Sequence, residues 1–84
     1  MARGEKLLEK MRNNPRDWRI GDVGTLCRAF DIDFDSPPGG SHFGVSDPTQ
    51  AQHVTIPFAR PIKSVYIKQL VGFVDAVLAA REGE

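Results

Sequence analysis

Gly39-Gly40-Ser41-His42-Phe43-Gly44-Val45 sets the architecture of this chain. The stretch leaves a Pro37-Pro38-Gly39-Gly40 run and enters a β-strand. Proline fixes its own φ and glycine tolerates φ > 0, so the chain can reverse at this point. Beyond the turn, Phe43 and Val45 alternate with His42 and Gly44, which places the two pairs on opposite faces of a strand. With Phe43 and Val45 toward a core, His42 faces outward and the small Gly44 leaves open space beside it. Imidazole is the side chain that exchanges protons near neutral pH, and beside a Gly-rich turn it suits proton-transfer chemistry. The plainer alternative is a surface histidine with no role.

The strand beginning at this turn spans Ser41 to Ser46, and its neighbours follow from the same alternation. Ile32 and Phe34 alternate with Asp31, Asp33 and Asp35, the pattern of a half-buried strand. Three aspartates in such a run are either a metal site or the solvated face of an amphipathic strand, and the solvated face is adopted here. Asp47-Pro48-Thr49-Gln50-Ala51 reads as a turn by composition. A third strand covers Gln52 to Pro57, with Val54 and Ile56 inward and His53 and Thr55 outward. Pro57 and Pro61 keep the connection after it extended.

Helices flank this three-stranded unit. Leu7, Leu8 and Met11 form an apolar stripe on a short helix from Glu5 to Asn13, which Asn14-Pro15 ends. Trp18 follows in a linker and packs on the core. A second helix runs from Ile20 to Phe30, with Val23, Leu26, Cys27 and Phe30 on one face and Gly21 and Gly24 weakening it. Cys27 lies on the buried stripe and reads as a small core hydrophobe. The last helix starts near Ser64, a good N-cap, and reaches about Arg81. Its face of Ile67, Leu70, Val71, Val74, Val77 and Leu78 is the largest apolar surface in the chain and packs across the sheet. The expected fold is an α+β two-layer domain, α-α-β-β-β-α, with an antiparallel sheet and helices on one face.

The 84 residues make a single domain with a modest core. Eleven basic residues balance eleven acidic ones, so a nucleic-acid site would need a local cluster of cations. One cysteine excludes an internal disulfide and a multi-cysteine metal site, and it fits a reducing, cytoplasmic setting. No apolar run approaches the roughly 20 residues that span a bilayer, so no membrane partner is expected. Met1 to Lys6 has no apolar stretch behind it long enough for a signal peptide.

Inward residues of neighbouring strands share a face, which constrains the register. Phe43 opposite Ile56 and Val45 opposite Val54 put His42 opposite Pro57, next to the loop carrying Arg60 and Lys63. His53 then lies about 13 Å away along the strand, too far to pair with His42. Pairing Phe34 with Phe43 puts Asp35 opposite His42, where it could orient the imidazole. Arg60 and Lys63 precede the last helix, whose free N–H groups and partial positive charge add to theirs in a plausible phosphate site. Ordinary surface charge is the plainer reading of both.

Gly40-Ser41-His42 resembles the Gly-Ser-His signature of HicA-type mRNA interferase toxins. Val54-Thr55-Ile56-Pro57-Phe58, running into Arg60-Pro61-Ile62-Lys63 and Val65-Tyr66-Ile67, is similar as well. The likeness covers about Ile20 to Leu78, so residues 20–80 form the HicA-like core. Residues 4–14 then form a helical extension like that of longer members. The resemblance implies a double-stranded-RNA-binding-like fold and a cytoplasmic, metal-independent endoribonuclease that cleaves mRNA without cofactor and is restrained by a HicB-like antitoxin. The family's catalytic histidine carries over to His42. Many members have a second histidine where this chain has Ala59, which departs from the pattern. Ser41, Gly40, Arg60 and Lys63 would bind RNA or phosphate, with Asp35 and Tyr66 as supporting groups. The alternatives are a non-catalytic RNA- or protein-binding module of the same fold, or a degenerate toxin still bound by an antitoxin.

Overall fold

The computed structural model describes residues 3–36 and 40–83, so the expected turn at Pro37, Pro38 and Gly39 lies outside the described residues. The elements are α1 (Arg3–Asn13), α2 (Ile20–Ala29), β1 (Asp33–Asp35), β2 (His42–Ser46), β3 (Val54–Pro57) and α3 (Ser64–Glu82). The strands form one antiparallel sheet in the order β1-β2-β3. α2 packs on β1, α3 packs on β3, and α1 lies against both helices. Val45 and Ile56 of the sheet share one buried cluster with Leu8, Met11, Leu26, Ile67 and Leu70 of the helices. All three helices therefore cover one face, and the arrangement is the α+β order expected.

Each helix ends where its sequence stops supporting it. α1 closes at Asn13, with the Asn14 N–H bonded to the Lys10 carbonyl at 2.9 Å before Pro15. Met11 is fully buried and Leu8 is 5% exposed, so α1 forms part of the core. Arg12 pairs with both carboxylate oxygens of Asp75 on α3, at 2.6 and 2.9 Å. α2 ends in a reversal that sequence patterning assigned to the first strand. Asp31 sits at φ 55°, and the Ile32 N–H reaches back to the Cys27 carbonyl at 2.9 Å. The pattern is a Schellman cap with aspartate where glycine is usual, and buried Ile32 supplies its apolar contact. β1 is accordingly only three residues long.

Two further expectations are corrected. Ser64 is the first residue of α3, and Lys63 holds the cap position without a side-chain bond to the helix end. The segment before it is fixed by Ile62, 1% exposed, whose N–H bonds the Trp18 carbonyl at 2.9 Å. That anchor sets where the helix begins. Phe73 is buried at 9% although the apolar stripe read from the sequence omits it, whereas Leu78 is only half-buried. Among the described residues no helix is long and apolar enough to cross a membrane.

Candidate functional site

Period-two alternation holds along β2. Val45 is fully buried, Phe43 is half-buried and His42 is exposed. The β2–β3 register is the one expected: His42 faces Pro57, Phe43 faces Ile56, and Val45 faces Val54. Pro57 lacks an N–H, and it lies on an edge strand at a position where that group would point away from the ladder. The next pair out is closed by the Phe58 N–H, which donates to the Ser41 carbonyl at 2.6 Å. That bond ties the loop bearing Arg60 to the residue preceding His42.

The β1–β2 register differs from expectation by two residues. Phe34 faces Val45 and Asp35 faces Gly44, so His42 and Phe43 extend past the end of β1. A two-residue shift preserves which face each side chain takes. Its physical basis is packing. Phe34 meets fully buried Val45 across the ladder and stacks diagonally on Phe43, with ring centroids 5.6 Å apart and planes within 7°. Phe34 also lies against Gly24, where an added Cβ would come within 3.2 Å of the ring. Asp35 is thus the diagonal neighbour of His42 on the open face, roughly 7–8 Å away. Gly44 puts no side chain between them.

Ser41 Oγ lies 3.3 Å from His42 Nδ1, and Gly40 and Ser41 are both exposed. Arg60 and Lys63 are exposed too. Arg60 stands over the Phe58 ring, 5.4 Å from its centroid, and Lys63 occupies the N-terminal cap position of α3. Tyr66 is half-buried and packs against the core cluster, which places it with the helices on the covered face. His53 precedes β3 at the end of the sheet opposite His42, where it lines a groove between α3 and the free edge of β3. Among the described residues no three His, Cys, Asp or Glu side chains converge as metal ligands.

Two residues near this site escaped the reading of the sequence. Phe58 is 45% exposed, and Arg19 stands at the start of α2. Together they flank a cleft of about 370 Å³ between residues 19–22 and 58–60. Arg19 opens α2 with its backbone N–H donating to Asp22 Oδ2 at 2.9 Å. An isolated aromatic between Pro57 and Ala59 belongs to no periodic pattern, so its exposure carries no sequence signal. Elsewhere, burial pushes the Cys27 thiol up to about 11, which suits an inert core residue.

No family model, curated protein or solved structure matches the chain.

Proposed function

We propose that the chain is a HicA-like endoribonuclease toxin, cytoplasmic, acting on mRNA and restrained by a HicB-like antitoxin. The observation that carries this reading is His42, exposed on the helix-free sheet face within Gly40-Ser41-His42 and tied through Ser41 to the Phe58–Arg60 loop. RNA supplies its own nucleophile. The 2′-oxygen bonds to phosphorus, the bond to the 5′-oxygen breaks, and a proton passes from the 2′-OH to the leaving oxygen. The products are a 2′,3′-cyclic phosphate and a 5′-hydroxyl. His42 takes up the first proton or delivers the last, a role worth roughly 10²–10⁴-fold. Arg60 and Lys63 hold the phosphate and stabilise the charge that develops on it.

The alternative of a non-catalytic RNA- or protein-binding module is favoured by one feature. Ala59 stands where many HicA-type toxins have a second histidine, so that among the described residues Ser41 alone has a side chain hydrogen-bonded to His42. The test is incubation of the purified chain with single-stranded RNA in excess chelator. Fragments ending in cyclic phosphate support the ribonuclease, and intact RNA with retained binding supports the module. Arg60→Ala and Lys63→Ala should each weaken RNA binding and make the log–log salt slope shallower by about 0.7–0.9. An unchanged slope in both variants would place the RNA elsewhere.

A further inference from the structure

We infer that Phe58 is a nucleobase platform: a base flanking the reacting phosphate stacks on its ring in the cleft beside α2, and Arg19 and Arg60 hold the adjoining phosphates. The inference rests on the reading of this chain as an RNA-binding protein and adds to it a subsite for single-stranded RNA.

The ring is exposed yet rigidly mounted. Phe58 and Val65 are the exposed large hydrophobics of the described residues. Phe58 ends an aromatic row. Its centroid lies 6.3 Å from Phe43 at a tilt of 37°, and Phe43 in turn stacks on Phe34. Its backbone is held by the bond to Ser41. An aromatic fixed in this way loses little freedom when a ligand stacks on it.

The surroundings favour a nucleotide. Arg60 already lies loosely over the ring, and as an exposed arginine it can leave the ring for a phosphate. Arg19 stands on the opposite wall, and Asp22, the one carboxylate among the described residues that line the cleft, accepts the Arg19 backbone N–H. The volume of about 370 Å³ falls within the range of small-ligand sites. Whole-molecule charge adds nothing, because the formal net charge is zero. Single-strand binders combine backbone cations with base stacking, so here stacking must supply a larger share. The position also fits. Phe58 follows Pro57, the cross-strand partner of His42, on the helix side of the sheet end. A strand crossing that end passes from His42 to Phe58.

The experiment uses the full chain and a short single-stranded 2′-O-methyl oligonucleotide with 2-aminopurine at its centre, which lacks the 2′-OH needed for cleavage. Wild type should bind it and quench its fluorescence. Phe58→Leu, which keeps an apolar side chain but has no π-face, should weaken binding about 5- to 150-fold and lose the quench. Phe58→Tyr should restore both, and thermal unfolding of each variant should stay close to wild type. The salt slope should be unchanged in Phe58→Leu and shallower in Arg19→Ala. Unchanged affinity and quench in Phe58→Leu, or no binding by wild type, would overturn the platform. So would a Phe58→Leu protein that binds the oligonucleotide normally but is no longer neutralised by a co-expressed antitoxin, since Phe58 would then belong to a protein interface. Binding through Phe58 by a wild type that leaves natural RNA intact supports the platform and contradicts the ribonuclease alone.

Discussion

Asp47 opens the turn after β2 and also fastens the far end of α3. Its Oδ2 accepts the Thr49 hydroxyl at 2.6 Å and the Thr49 N–H at 3.1 Å, while Oδ1 accepts Arg81 at 3.0 Å. Arg81 also donates to the Phe30 and Asp31 carbonyls at the end of α2. The turn was legible in Asp47-Pro48-Thr49, but the tie to Arg81 was not, because nothing local links residues 34 positions apart. The Thr49 hydroxyl, the Thr49 N–H and Arg81 hold the Asp47 carboxyl below its usual range despite burial, and Arg12 does the same for Asp75. A lowered carboxylate pKa stabilises the fold above the unfolded value of about 3.9, and that contribution is lost as pH falls through the folded value. Melting temperature should therefore drop as pH falls below about 4. Asp47→Asn should flatten that acid limb, which circular dichroism melts across pH will reveal; an equally steep limb would assign the acid sensitivity to other groups.

Alternation and apolar stripes place the elements well, because a period is a property of several residues at once. β2 and its pairing with β3 were readable for that reason, and so was the exposure of His42. The register of β1 was not, since stacking of Phe34 on Phe43 and its seat against Gly24 are set by tertiary packing. The cap at Asp31 was hidden because Asp31 also fits an alternating strand. Glycines within helices carry two opposite meanings that only packing separates. An added Cβ at Gly72, exposed on α3, would meet nothing within 4 Å, whereas at Gly4 it would come within 2.8 Å of the Ala29 Cβ. Gly72→Ala should stabilise by roughly 0.5–1 kcal/mol, raising the melting point by several degrees. Gly4→Ala should lower it, since α1 must shift off α2. Chemical denaturation of both variants checks the pair, and a destabilised Gly72→Ala would mean that α3 is strained in a way its geometry does not reveal.

At the scale of the whole molecule, the described helices leave one face of the sheet uncovered, and the residues proposed for the site gather near one end of the sheet. His42, Ser41 and the Phe58–Arg60 loop meet there, while His53 lies at the other end. With a formal net charge of zero, any recognition of RNA would have to come from a local cluster of cations. If the chain is a toxin of this kind, its expression alone should arrest growth, and co-expression of its antitoxin should relieve the arrest. Growth at the normal rate with abundant folded protein would favour the binding module.

The most direct test of this account is RNA cleavage by the His42→Ala protein. The side chain is exposed and its removal opens no core cavity, so stability should stay within about ±0.5 kcal/mol of wild type. No other imidazole lies at this end of the sheet to take its place, because His53 precedes β3 at the opposite end. The account predicts that wild type cleaves single-stranded RNA, and that folded His42→Ala binds it with similar affinity but leaves it intact. Cleavage by His42→Ala at the wild-type rate would contradict it.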